Sequence, residues 1–320
     1  MNRVEGISVI IPVYNSEGSL ALVLEQVSAA LPALAADHEI ILVDDASRDA
    51  SLAVARDLAN ANPRVRVVAL RRNFGQHNAL LCGIRLARLP LIITMDDDLQ
   101  HPATEIQRLL RTMETTGADV VYGAPRRERH SILRTIASRV TKLTLQRAMG
   151  AETAASISAF RLFRTDLREA FARYHSPLVN VDVLLTWGTT RFQVCQVRHL
   201  PRTIGTSNYT LGKLLTHTLN MVTGFSDWPL RAASMLGFAL TLFGGILLVY
   251  VVGRYLLQGT TVAGFPFLAS TIAIFSGAQM LAIGIIGEYL ARIHLRSMGR
   301  PPFVVKEDTG AARGSHDAAS

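Results

Sequence analysis

The sequence predicts an α/β fold, a mainly parallel sheet flanked by helices, continued by interfacial helices and a C-terminal two-helix membrane hairpin. Short β-branched apolar runs alternate with helical patterns over residues 7–122, which implies βαβ units with helices on both sheet faces. Four successive strand ends carry polar clusters, and in open sheets of this kind ligands bind beyond the carboxyl ends of the strands. Residues 232–287 hold almost no charge.

The expected strands are 7–13, 39–43, 66–70, 91–95 and 119–122, and the expected helices 19–31, 51–60, 78–87 and 103–115. The polar clusters are Tyr14-Asn15-Ser16-Glu17, Asp44-Asp45-Ala46-Ser47, Arg71-Arg72-Asn73 and Asp96-Asp97-Asp98-Leu99-Gln100. The last follows an apolar strand directly. Side chains alternate across a strand, so Asp96 and Asp98 are expected to project one way and Asp97 the other. Two carboxylates on one side can grip a divalent cation, Mg²⁺ or Mn²⁺, and leave positions for phosphate oxygens. The bland alternative is a solvated acidic turn or a helix cap before His101-Pro102. Neither a glycine-rich dinucleotide fingerprint nor a glycine-lysine phosphate loop follows any strand, which argues against a dehydrogenase or a nucleoside triphosphatase.

Residues 232–253 and 262–287 are uncharged stretches, each long enough to cross a bilayer, which needs about 20 residues. The short link between them makes a hairpin with both flanks on one side. Arg231 precedes the hairpin, and Arg292, His294, Arg296 and Arg300 follow it, against Arg254 alone in the link. That bias places the flanks in the cytoplasm, on an inner membrane. No signal peptide precedes the first strand. Cys82 and Cys195 form no disulfide or metal pattern, which suits a reducing compartment. The expected division is 1–210 for the cytoplasmic domain, 211–231 for a juxtamembrane helix, the two spans, and 288–320 for a tail whose polar end after Lys306 reads as disordered.

The motifs resemble glycosyltransferase family 2, inverting enzymes with the GT-A fold. The matching pieces are Ile11-Pro12-Val13-Tyr14-Asn15, Val43-Asp44-Asp45-Ala46-Ser47-Arg48-Asp49, Arg72-Asn73-Phe74-Gly75-Gln76-His77-Asn78-Ala79 and the Asp96 to Gln100 run. Ser158-Ala159-Phe160-Arg161, Gly205-Thr206-Ser207-Asn208-Tyr209, Gly287-Glu288-Tyr289-Leu290-Ala291-Arg292 and the paired spans are similar to the polyprenyl-phosphate glycosyltransferase group. Two departures stand out. Ala46 replaces the family's usual glycine, and Ser16-Glu17 replaces a pair of acidic residues.

The resemblance implies transfer of a sugar from a nucleotide sugar, a UDP-sugar first, to undecaprenyl phosphate at the cytoplasmic membrane face. It implies a cation on Asp96 and Asp98, with Gln100 holding the cation or the acceptor phosphate. Asp97 would contact the donor sugar or ribose, or cap the next helix. Pro12, Tyr14 and Glu17 would line the base pocket, and Asp44 would contact base or ribose, while Asp45 reads as a structural cap. For Tyr14 the plain alternative is packing, and for Glu17 an exposed helix-start charge. Arginine suits phosphate through its forked geometry, so Arg126, Arg127, Arg161 and Arg202 are candidates for diphosphate or acceptor contacts. Ser158, Ser207 and Tyr209 join them, the last two on a loop expected to close over the donor. By the same resemblance the chain forms a homo-oligomer, a tetramer being one form.

Residues 126–147 carry seven basic residues against Glu128, with Ile132, Ile136, Val140 and Leu143 at helical spacing. That pattern predicts an amphipathic helix over about 130–147 on anionic lipid; residues 211–222 form a second apolar stripe, interfacial or core-facing. The net charge of +8 is absorbed by the membrane, and no nucleic-acid recognition pattern accompanies it. A processive polysaccharide synthase is the enzymatic alternative, opposed by the missing Gln-x-x-Arg-Trp motif. A membrane-tethered nucleotide-sugar-binding scaffold is the other alternative. The sugar itself is not readable from the motifs.

Overall fold

The computed structural model describes residues 3–125, 156–200, 228–258 and 265–310. The chain forms two units, Met1–Leu214 with Gly299–Ser320, and Leu215–Met298. The first holds an eight-stranded sheet in the order β7-β5-β6-β4-β1-β2-β3-β8. Its strands are β1 (Val4–Val13), β2 (Ala35–Asp44), β3 (Val65–Leu70), β4 (Leu91–Thr94), β5 (Val120–Pro125), β6 (Arg161–Arg164), β7 (Phe192–Val197) and β8 (Val305–Asp308). The helices between them are α1 (Leu20–Leu34), α2 (Ser51–Ala61), α3 (Gln76–Leu86), α4 (Ile106–Thr116) and α5 (Val181–Gly188).

The five expected strands and four expected helices are all present. β1 pairs in parallel with β2 and β4, and β2 with β3, because each right-handed crossover returns the chain in the same direction. β1 and β2 read as continuous apolar runs since both sheet faces are covered. Ile7, Val9, Ile11 and Val13 fully bury, as do Ile40 and Leu42. α3 lies so close to the sheet that a Cβ on Gly83 would collide with Ile10. β6 runs antiparallel to β4 and β5, and β5 pairs in parallel with β7.

The start of the tail is ordered, a correction to the expected disorder after Lys306. β8 adds antiparallel to β3, where Arg66 Nε and Nη2 donate to the Asp308 carboxylate at 2.8 and 2.6 Å. Arg56 pairs with Glu307, and the Val67 N–H donates to Thr309 Oγ1 at 2.9 Å. A short charged strand covers an otherwise open sheet edge. Its partners on β3 precede it by about 235 residues or more, so local composition could not reveal it. Residues 311–320 lie outside the described residues.

The second unit contains α6 (Trp228–Gln258) and α7 (Phe265–Ser297), each longer than the uncharged core read from sequence. Leu230–Leu257 and Ile274–Ala291 are long and apolar enough to cross a membrane. Phe275 packs on Gly244 between them, yet Phe238 remains 74% and Leu257 87% exposed. Apolar surface of that extent calls for hydrocarbon rather than water, and the chain is a membrane protein.

Candidate active site

The polar clusters gather at the carboxyl ends of β1, β2, β3 and β4, and three non-glycine residues there have left-handed backbone. Asn15 follows β1 at φ 54°, Ala46 follows β2 at φ 57°, and Leu99 follows β4 at φ 61°. Such conformations cost on the order of 1 kcal/mol or more for a residue with a Cβ and concentrate at functional sites. Ala46 occupies the position where the resembling motif carries glycine, and its positive φ is the physical reason for that preference.

The cleft between these ends is lined by Pro12, Val13 and Tyr14 from β1 and by Asp45 after β2. Asn73, Gly75 and Gln76 supply the next wall, and Asp96 and Asp97 the last. Pro12 and Tyr14 are thus among the lining residues. Asn15 ties two of the turns: its N–H donates to Ser47 Oγ at 3.1 Å, and its Oδ1 accepts from the Arg48 N–H at 2.8 Å.

Asp44 and Asp45 are both buried, and each carboxylate caps backbone amides. Asp44 is buried, accepts from the Ser47 N–H at 3.3 Å and caps its own turn. Asp45 reaches the cleft and accepts from the Phe74 and Gly75 N–H groups at 2.7 and 2.8 Å. Burial raises both carboxyls above the usual range, and these backbone donors partly offset it. Glu17 lies outside the cleft lining. Its Oε2 accepts from the Ala50 N–H at 2.8 Å, satisfying a donor at the start of α2.

The acidic run departs from simple alternation. β4 ends at Thr94 and residues 97–99 bend, so the extended path assumed for Asp96 and Asp98 does not continue. Asp96 is half-buried, and its Oδ1 accepts from Gln76 Nε2 at 2.6 Å. Asp97 accepts from the Ser16 hydroxyl, and burial raises its carboxyl despite that bond. Asp98, 9% exposed, stands outside the lining and accepts from the Gln100 N–H at 3.1 Å. The Gln100 carbonyl accepts from the Leu200 N–H at 2.9 Å.

Arg161 is a second correction. It is 1% exposed, pairs with Asp182, and donates through Nε to Thr94 Oγ1 at 2.9 Å. Tyr122 donates to the same Asp182 at 2.9 Å. Nε and Nη1 are engaged inside the domain, which ties the end of β4 to Asp182 and gives Arg161 a structural role where a phosphate contact was expected. Ser158 Oγ accepts from the Phe160 N–H at 3.1 Å and shapes the turn before β6. Arg126, Arg127, Arg202, Ser207, Tyr209 and the basic helix at 130–147 lie outside the described residues. Asp45, Asn73, Gly75 and Gln76 were not assigned to the site from sequence. The Arg72 to Ala79 motif was the available signal, but it carried no role.

His101 closes the acidic run. It is 8% exposed, stacks on Phe160 at 5.2 Å, and among the described residues neither ring nitrogen has a hydrogen-bond partner. Burial, then His199, lowers its pKa to about 4 from 6.5, with Asp98 opposing. The folded value lies below the unfolded one, so its contribution is complete above pH 6.5 and is lost as pH falls toward 4. From these values stability should drop about 2 kcal/mol between pH 7.5 and 5 through this group alone. His101→Phe should flatten that limb in urea melts at the two pH values. An unchanged slope would refute the assignment.

The glycosyl transferase family 2 model matches residues 8–171. The chain is 34% identical over 313 residues to an undecaprenyl-phosphate 4-deoxy-4-formamido-L-arabinose transferase of Yersinia enterocolitica, covering 97% of this chain and 95% of the relative. It is 35% identical over 316 residues to the transferase of the same name from Serratia proteamaculans, covering 97% of each. Among solved structures, glucosyl-3-phosphoglycerate synthase of Mycobacterium tuberculosis superposes with a TM-score of 0.50 at 20% identity, covering 68% of this chain and 78% of that one. The same enzyme in complex with Mn²⁺, UDP-glucose and glycerol 3-phosphate gives a TM-score of 0.50 at 18% identity over the same shares; both likenesses concern the fold. With its sheet, strand-end cleft and near full-length relatives, this chain belongs to glycosyl transferase family 2, a family of glycosyltransferase enzymes.

Proposed function

We propose that this enzyme transfers a sugar from a nucleotide sugar, a UDP-sugar, to undecaprenyl phosphate at the cytoplasmic face of the membrane. The observation that carries the reading is similarity along 97% of the chain to undecaprenyl-phosphate sugar transferases. It spans the acidic cleft and both apolar helices alike. The basic flanks of the hairpin support the cytoplasmic orientation. A homo-oligomer remains part of this reading by family resemblance.

The chemistry is a single in-line displacement. A phosphate oxygen of the acceptor attacks the anomeric carbon, the bond from that carbon to the β-phosphate oxygen breaks, and UDP leaves. The configuration inverts. The acceptor is already an anion at neutral pH, so no general base is needed, and alignment of two anions is the main task. Three carboxylates, Asp45, Asp96 and Asp97, line the cleft, and no basic side chain among the described residues does. A diphosphate would be repelled there without a cation. The oxygen donors suit Mg²⁺ or Mn²⁺, and Asp96, the half-buried carboxylate facing the cleft, would hold it, with Asp98 as second candidate. Among the described residues no set of three His, Cys, Asp or Glu stands together as a metal site, so substrate oxygens would have to supply the rest of the shell. When bound it would neutralise charge building on the leaving diphosphate. Pro12, Tyr14 and Asn73 would receive the nucleoside end, with Asp97 toward ribose or sugar.

Detergent-purified protein should be incubated with undecaprenyl phosphate, Mg²⁺ or Mn²⁺ and a panel of UDP-sugars. The 4-formamido-arabinose donor belongs in that panel because of the relatives' names. Mass spectrometry of the lipid fraction should show one sugar-phosphate-lipid product that disappears with EDTA. Nucleotide-sugar binding without turnover on any acceptor would instead favour the scaffold reading.

A further inference from the structure

The Arg72 to Ala79 segment matches a family motif, yet the chemistry above leaves its centre without a task. Gln76 opens α3, exposed at the cleft wall, and its Nε2 donates to Asp96 Oδ1 at 2.6 Å. Only the NH₂ end of the amide can donate to a carboxylate, so the bond also fixes which way the amide faces. The base from which Gln76 reaches is held on several sides. Asp45 grips the Phe74 and Gly75 amides. Gly75 has φ 99° and ψ 153°, a conformation essentially confined to glycine, and it turns the chain into the helix. Two residues on, Asn78 Nδ2 donates to the Pro177 and Pro302 carbonyls at 3.1 and 2.6 Å.

A neutral donor on such a base turns a carboxylate without cancelling its charge. Arginine or lysine at the same place would form an ion pair with Asp96 and compete with a cation for it. We propose that Gln76 is a positioning residue that sets the direction of the Asp96 carboxylate for cation binding. The inference rests on the assignment of Asp96 to the cation. It gives the glutamine amide a purpose at this point of the chain: orientation without neutralisation.

The test uses the full chain in detergent, with UDP present and no lipid acceptor, and follows free Mn²⁺ by electron paramagnetic resonance. Gln76→Met keeps size and removes the donor. Its Mn²⁺ dissociation constant should rise about five- to tenfold, with an unchanged melting temperature, and in a separate assay with sugar donor and undecaprenyl phosphate added, raising Mn²⁺ should recover most of the lost turnover. Gln76→Ala should behave alike. Mn²⁺ affinity equal to wild type in both variants overturns the inference, and so does a lowered melting temperature with normal affinity, which would make the bond merely structural. If the wild-type protein takes up no Mn²⁺ with UDP, the assignment of Asp96 to a cation fails first, and the Gln76 inference falls with it.

Discussion

Arg161→Met is expected to unfold the sheet domain rather than leave a folded, inactive enzyme. Arg161 and Asp182 are both buried, and Tyr122 and Thr94 complete the network around them. Removing the guanidinium would leave the Asp182 carboxylate uncompensated in the interior. Breaking a buried pair from one side costs about 3–5 kcal/mol, a large part of the 5–15 kcal/mol that holds a typical domain together. Burial, then Asp182, already pushes the Tyr122 phenol well above its ordinary range, so that hydroxyl stays a donor and cannot relieve the charge. Thermal melts should show a loss of that size, or no soluble protein. The double variant Arg161→Met/Asp182→Asn removes both charges, keeps an acceptor for Tyr122, and should recover much of the stability. A single variant that melts like wild type but does not turn over would sink this account and restore a direct catalytic role.

Asp96→Asn should abolish most turnover while leaving the fold intact. The residue is half-buried at the cleft, and asparagine keeps the shape and an acceptor for Gln76. What disappears is the charge assigned to the cation, and removal of one preorganised electrostatic group typically costs about 10²–10³ in rate. UDP binding measured without a cation should tighten rather than weaken, since repulsion in the cleft falls as the charge is lost. Asp98→Asn separates two roles for the neighbouring carboxylate. A second cation ligand would lose rate at constant melting temperature, whereas a cap on the Gln100 amide would lose stability. Full activity in Asp96→Asn would refute the cation assignment in the cleft.

The first five strands and four helices were legible because each has its own hydrophobic period, bounded by turn residues. The acidic run was legible as a site by its position after a buried strand. Its geometry was not. Alternation holds only while backbone stays extended, and β4 stops at Thr94, two residues before Asp96. Likewise the amides that Asp45 caps, those of Phe74 and Gly75, belong to the segment after β3 and could not be read from the motif around it. Arg161 looked like a phosphate ligand because a motif names a residue without its burial.

By itself the sequence determined the alternation of strands and helices, the two apolar spans, the family and the neighbourhood of the cleft, all properties carried by local period, composition and motif. The tertiary structure alone decided three things: that Asp45 caps the Phe74 and Gly75 amides, that Arg161 belongs to a buried ion pair, and that Glu307 and Asp308 anchor a strand on β3. Each depends on partners far apart in the chain, and a side chain's role follows from what surrounds it after folding, which no local pattern encodes.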